Sequence, residues 1–397
     1  MSVDSTTMPF PVQLKNPIRV DPVLLLIVAT LILGGLVVLA SASISIGDNT
    51  SNDPFFYVSR QAFAAILGCV AGFVCLFIPI RFWFSTGPLM LLIAFALLLV
   101  VLVPGVGHTA NGSTRWIRLG VINLQASDPA RLCLMIYLAG YLVRQNKSVR
   151  EEFIGSLKPI IVLVLAGALL VVEPDLGAAI VLVATAFAMM FVAGARFRDF
   201  FVFSVLATIM AGLLVVTKGY RLDRLTGFLD PWADPFDKGF QLTQSLIAIG
   251  RGEWFGVGLG DGVQKLFYLP DAHTDFVFAV FAEEFGLLGT VLLISLFSAL
   301  LWRVFKLGIR AANSDRFFEA YLTIGIGAWL GLQAFINIAV NMGLLPTKGL
   351  TLPLISYGRS SMIVALVSIG ILMRIHHELQ TDDRHLNSRK SKSRAKR

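Results

Sequence analysis

LPDAHTDFVFAVFAEEFGLLGTVLLISLFSALLW, residues 269–302, decides the fold, because a polar segment runs directly into an apolar stretch. A bilayer span needs roughly 20 apolar residues, and this stretch supplies them. Asp275 then sits at the mouth of a transmembrane helix, where a carboxylate is costly unless it is used or paired. Upstream, residues 218–274 form the one long polar stretch in a chain that is otherwise almost all apolar.

The composition agrees. Of 397 residues, 56% are hydrophobic and 15% charged, where a soluble domain carries about 25% charged residues. The expected fold is an all-α polytopic membrane protein with about ten transmembrane helices and a large extracytoplasmic loop between helices 7 and 8. Apolar runs place the spans at 22–42, 60–80, 83–103, 129–143, 159–173, 176–194, 200–217, 275–302, 317–345 and 361–375. Cys69, Cys75 and Cys133 lie within such runs and read as core packers rather than a disulfide framework. No cleavable signal is visible, and the first apolar run is long enough to remain as an anchor.

Basic residues set the orientation. With the N terminus inside, inner segments carry 21 of the 33 lysines and arginines, and six of the outer 12 belong to the 218–274 loop. Residues 1–21 are then a cytoplasmic segment, 22–375 the transmembrane domain, and 376–397 a basic cytoplasmic tail. The seven basic residues from Arg384 to Arg397 read either as a disordered tail or as a dock for anionic lipid or a cytoplasmic partner. The net charge of +8 is largely this tail and gives no sign of nucleic acid.

Two stretches break the pattern. Residues 159–194 leave little length for two crossings, so the Glu173-Pro174-Asp175 corner is expected below the outer surface. Prolines and glycines interrupt 343–361, which suggests a structured outer loop or a re-entrant element. Polar backbone at depth survives only inside protein or against a wet cavity.

Four polar clusters face outward: NGSTRWIRLG (111–120) with QASDPARL (125–132), EPDLG (173–177), the 219–275 loop, and PTKGLTLPLISYGRSS (346–361). Asp128-Pro129 reads as a helix start with a capping side chain, and Arg131 is in range for a local ion pair. Arg115 and Arg118 flank Trp116, as interfacial anchors or as contacts to an anionic headgroup. Gly256, Gly258, Gly260 and Gly262 alternate without a strand–turn–helix unit and read as turns or a flap. His273 between Asp271 and Asp275 is weak evidence for a metal. Lys265 and Lys348 are outer cations able to meet phosphate oxygens, although each alone is more simply solvated. Glu283 and Glu284 lie about 12 Å below Asp275 on a continuous helix, at about 80° and 180° around it. A helix-pairing role is expected for at least one of them.

Together these motifs resemble the SEDS family of bacterial envelope proteins. The resemblance is carried by NGSTRWIRLG, QASD, EPDLG, GFLDPWADPFDKGFQLTQSLIAIGRGEWFGVGLG, LPDAHTDFVFAVFAEEFG and NMGLLPTKGLTLPLISYGRSS, and it covers nearly the whole chain. The PTKGLTLPLISYG form and the polar N-terminal extension look more like the division-type branch than the elongation-type branch. The resemblance implies a peptidoglycan glycosyltransferase that polymerises lipid II at the outer face of the bacterial cytoplasmic membrane, at the division septum. It implies a class B penicillin-binding transpeptidase (FtsI-like) as partner, alongside other divisome membrane proteins and membrane lipids. It places the catalytic aspartate on Asp275, and a family acidic position on Asp128, with Ala126 where proline is usual. Arg359 stands where the family motif has glycine.

The implied chemistry suits these residues. An α-linked pyrophosphate leaves and a β-1,4 bond forms, so inversion needs one displacement and one general base, with no carboxylate nucleophile. Asp275 is the expected base. Arg115, Lys348, Lys265, Arg359, Asp128 and Asp175 are the expected substrate-binding residues. The sequence fixes no cofactor; a divalent cation (Mg or Mn) would offset the leaving charge as well as a side chain would. The rival classes are a lipid flippase, an elongation-type polymerase, and a scaffold for the transpeptidase. No inverted repeat is visible and the inner face lacks a matching polar cluster, which argues against transport.

Overall fold

The computed structural model describes residues 18–110, 113–119, 122–216, 226–237, 239–266, 268–347 and 349–394. The helices are α1 (Pro22–Ser51), α2 (Phe56–Cys75), α3 (Ile80–Ser85), α4 (Gly87–Val100), α5 (Ser127–Arg144), α6 (Asn146–Glu151), α7 (Phe153–Val172), α8 (Leu176–Val192), α9 (Phe197–Val216), α10 (Phe240–Arg251), α11 (Val277–Asn313), α12 (Phe317–Asn341) and α13 (Arg359–Arg394). By length and composition α1, α2, α7, α11, α12 and residues 359–382 of α13 can cross a membrane, while α4 and α8 are apolar but shorter. These helices make the chain a multi-pass membrane protein. The expected 83–103 span is split at Thr86, because Pro88 opens α4 without an amide hydrogen to offer the preceding turn.

The sequence supports these starts. Asp21 caps α1 by accepting from the amides of Val23 (3.1 Å) and Leu24 (3.2 Å), with Pro22 behind it. The same carboxylate binds Arg303 near the far end of α11 through contacts of 2.6–3.1 Å. Burial, the largest single influence, raises the Asp21 carboxyl, but the Arg303 hydrogen bonds, the Leu24 amide and the charges of Arg303 and His376 together outweigh it and hold the group below its ordinary value. Between α2 and α13 the packing is closest at Gly72 and Gly370, where a Cβ on Gly370 would lie 2.2 Å from the Gly72 carbonyl oxygen. Small residues let these backbones meet.

Four expectations need correction. First, β1 (Gly107–Ala110), β2 (Ser113–Leu119) and β3 (Ile122–Gln125) form a three-stranded antiparallel sheet inside the otherwise helical fold. Trp116 pairs with Gln125 and Arg118 with Asn123. Second, Asp128 does not cap α5. The helix begins at Ser127, and the Asp128 carboxylate turns back toward Arg131 at 4.0 Å. Third, α13 runs on to Arg394, so the tail set apart from residue 376 continues a helix.

Fourth, α11 is not continuous, and Asp275 lies in the turn before it. At Gly286 the backbone takes φ 64°, ψ −164°, a conformation that glycine tolerates. The angles reckoned around an unbroken helix from Asp275 therefore do not apply. The break leaves helix carbonyls and amides without partners, and residues 253–258 supply them. Val257 and Gly258 donate to the carbonyls of Glu283 (3.0 Å) and Glu284 (3.1 Å), while the amides of Leu287 and Leu288 donate to Glu253 (2.8 Å) and Trp254 (3.2 Å). The glycine-rich stretch makes turns, with positive φ at Gly256, Gly258 and Gly260.

The two glutamates pin the same loop. Glu283 accepts from the amides of Val263 (2.9 Å) and Gln264 (3.3 Å) and meets Arg251 at 3.4 Å. Glu284 pairs with Lys265 at 2.6 Å and accepts from the Ser41 hydroxyl of α1 at 2.5 Å. The pairing role expected for one glutamate is filled by both, although their partners are a loop and a neighbouring helix. Removing one member of a buried pair strands the other charge, at about 3–5 kcal/mol. Lys265→Met should therefore lower the thermal midpoint in detergent sharply. The double variant Lys265→Met/Glu284→Gln should regain much of the loss, and purified protein read by a thermal-shift assay checks both.

Candidate active site

Three of the four outer clusters meet in one hydrogen-bonded network. β2 carries Arg115 to the Glu173–Asp175 corner, where it donates to the carbonyls of Glu173 (3.3 Å) and Pro174 and stands 3.9 Å from the Asp175 carboxylate. Asp175 caps α8 through the Ala178 amide (3.1 Å) and accepts from Gln125 (3.0 Å) and Ser127 (3.2 Å). The corner is buried within the protein, with Glu173 at 0% and Asp175 at 2% exposure, although the helix before it is not short: α7 starts at Phe153, six residues before the expected span, and is long enough to cross.

One turn into α5, Asp128 and Arg131 are also buried. Arg131 donates to the side-chain carbonyl of Gln333 at 3.0 Å, and its guanidinium lies 5.3 Å from the Trp329 ring. Gln333 donates onward to the Thr351 carbonyl at 2.9 Å. The 343–361 stretch is the structured element its prolines and glycines suggested. Leu350, Leu352, Leu354, Ile355 and Ser356 are buried, and their backbone is met by side-chain amides. Gln61 of α2 donates to the Ser356 carbonyl (3.0 Å) and accepts from the Gly358 amide (3.1 Å), while Asn337 donates to the Leu350 carbonyl (2.6 Å).

Asp275 stands at the edge of this network. It is half-buried, and its backbone carbonyl accepts from Asn337 at 2.8 Å and Asn341 at 3.0 Å. Beside it, the His273 ring lies among Tyr57 (4.5 Å between centroids) and Tyr357 (5.7 Å), and the Tyr357 amide donates to the His273 carbonyl at 3.0 Å. Burial lowers the His273 imidazole below its ordinary value, against the opposing pull of Asp271. Arg359 opens α13 next to this cluster, and its charge acts on the Tyr357 phenol.

The expected substrate-binding residues thus separate. Asp128, Asp175 and Arg115 share one network, joined to Asp275 through Gln333, Asn337 and the Leu350–Thr351 backbone. Lys265 belongs elsewhere: it is buried against Glu284 and Ser41. Lys348 lies outside the described residues. Among the described residues no group of three His, Cys, Asp or Glu side chains could hold a metal ion. Sequence reasoning missed Gln333, Asn337 and Asn341. Their signal was present as three amides four residues apart in an apolar helix.

The whole chain has clear relatives. A family model described as cell cycle protein, covering FtsW, RodA and SpoVE, matches residues 22–381. The chain belongs to this family, the SEDS family. Among its relatives is a probable peptidoglycan glycosyltransferase FtsW of Thioalkalivibrio sulfidiphilus, 52% identical over 366 residues, covering 92% of each chain. Another is the probable peptidoglycan glycosyltransferase FtsW of Alkalilimnicola ehrlichii, 52% identical over 360 residues, covering 91% of this chain and 90% of that one. A solved chain from a peptidoglycan synthase complex that coordinates polymerisation and crosslinking superposes with a TM-score of 0.75 at 29% identity, over 91% of this SEDS chain and 98% of that one. The rod-shape-determining RodA of Thermus thermophilus gives 0.66 at 29% identity, over 92% and 98%.

The lowered His273 imidazole has a consequence for stability. An unfolded chain binds the proton near the ordinary value of 6.5 while the folded chain resists it. The contribution of neutral His273 is therefore full above that value and is lost as pH falls toward the depressed one. As pH falls below about 6.5 the thermal midpoint should carry this loss. His273→Phe should remove that component, as read by melting curves of both proteins across the range.

Proposed function

We infer that the chain is a peptidoglycan glycosyltransferase that polymerises lipid II at the outer face of the inner membrane, with Asp275 as general base. The names of relatives about half identical over nearly the full chain support the activity. The observation that carries the residue is the placement of Asp275: a half-buried aspartate on a turn whose backbone carbonyl is held by two buried amides. The acceptor sugar hydroxyl gives its proton to Asp275 as its oxygen attacks the anomeric carbon. The bond to pyrophosphate breaks from the opposite face, and the electron pair leaves on the phosphate oxygen. General-base catalysis of this kind is worth about 10²–10⁴-fold.

Positive charge must meet the departing diphosphate. Arg359, and Arg115 with its partly exposed guanidinium, are the candidates we favour, and Lys348 joins them on sequence grounds. Lys265 is committed to Glu284 and drops out. A divalent cation would draw its remaining ligands from substrate oxygens, since the described side chains offer no three-ligand group.

The solved relative in a peptidoglycan synthase complex supports a class B penicillin-binding transpeptidase of the FtsI kind as partner. The FtsW relatives support a place at the division septum. The excess of inner basic residues supports cytoplasmic termini. In the purified complex, Asp275→Asn should reduce glycan polymerisation from lipid II by at least about 10²-fold, with complex formation intact by size-exclusion chromatography. Wild-type polymerisation by that variant would overturn the assignment.

A further inference from the structure

One face of α12 carries Gln333, Asn337 and Asn341, each buried, at 3%, 2% and 0% exposure. Spaced four residues apart, they stack along the helix. Their contacts form a ladder. Gln333 accepts from Arg131 (3.0 Å) and from the Trp329 indole (2.7 Å) and donates to the Thr351 carbonyl (2.9 Å). Asn337 donates to the carbonyls of Leu350 (2.6 Å) and Asp275 (2.8 Å). Asn341 donates to the Asp275 carbonyl (3.0 Å) and accepts from the Ala279 amide (3.1 Å) in the first turn of α11. Ser245 of α10 donates to the Asn341 carbonyl at 2.8 Å and seats the end of α12.

We propose that this ladder is the positioning element for Asp275, fixing its backbone against the 349–351 segment, through buried Leu350, and against Arg131. The proposal rests on the reading of Asp275 as base. Two amide donors on one carbonyl hold the Asp275 backbone, so the carboxylate moves only by side-chain rotation. Gly349 bounds that rotation: a Cβ there would sit 3.1 Å from the Asp275 Oδ2. A misplacement of about 1 Å at a reacting group costs about 10²-fold in rate. Capping α11 is the rival role for Asn341. It uses only the amide oxygen that Ala279 binds, whereas positioning uses the amide hydrogens.

Asn341→Asp separates the two roles, because a carboxylate still accepts from Ala279 but no longer donates to Asp275. The test measures kcat and KM for lipid II polymerisation by the full-length protein in complex with its transpeptidase. The variants are Asn341→Asp, Asn337→Leu, Gly349→Ala and Asp275→Asn, each with its melting temperature. The expected result is a fall in kcat of about tenfold to a hundredfold in Asn341→Asp and Asn337→Leu. KM should stay within about twofold, as for an interaction used only in the transition state. Gly349→Ala should also lower kcat, with the fold retained. If folded Asn341→Asp and Gly349→Ala keep wild-type kcat while Asp275→Asn is inactive, the ladder proposal fails alone. If Asp275→Asn keeps wild-type kcat, the base assignment fails and the ladder has no base to position.

Discussion

Water is absent from a bilayer core, so each backbone amide and carbonyl there must find its partner within the protein. This constraint organises the outer half of the molecule. The chain departs from regular helix at Gly286, at the Glu173–Asp175 corner and through residues 342–347 and 349–358. Each departure is answered by a particular set of groups: the backbone of 253–258 at the first, Arg115 at the second, and Gln61, Gln333 and Asn337 at the third. Side-chain amides recur because one amide both donates and accepts, and so satisfies irregular backbone without burying a charge.

Several buried charges come with opposite charges. Lys265 meets Glu284, Arg131 meets Asp128 and Arg115 approaches Asp175, each carboxylate at 6% side-chain exposure or less. Arg251 reaches Glu283 in the same way from a more exposed position. Asp275 differs in the way it is held. The ladder binds its backbone, and the carboxylate lies beside Gly349. A base for a lipid-linked substrate needs this division of labour. The residue must be fixed, and its oxygens must remain within reach of a hydroxyl that arrives from outside.

Much of this was legible in the sequence. The apolar runs marked the long apolar helices, and the QASD and EPD clusters meet in one network, as their polar character among apolar runs suggested. The misses have physical causes. Hydropathy averages over a window, so the break at Gly286 disappears inside a strongly apolar run, and only the glycine and the loop that stitches it reveal it. The sheet was visible as alternation in the sequence, but strands of four to seven residues compete poorly with the helical signals around them. Lys265 looked like a free outer cation because its partners are distant in sequence: 19 residues away at Glu284 and 224 away at Ser41. No spacing rule links such positions.

The ladder was hidden for a related reason. A glutamine or asparagine in an apolar helix usually reads as a local packing feature, and its meaning depends on what faces it. Here the facing group is irregular backbone that includes the proposed base. Inversion by a single carboxylate makes that dependence strict. A retaining enzyme divides its chemistry between two acids and a covalent intermediate, whereas one displacement has a single proton acceptor that must lie in line with the attacking oxygen. Error in the backbone beneath that acceptor passes directly to its oxygens. The amides beneath Asp275 therefore bear on the reaction through position alone, without touching substrate or proton.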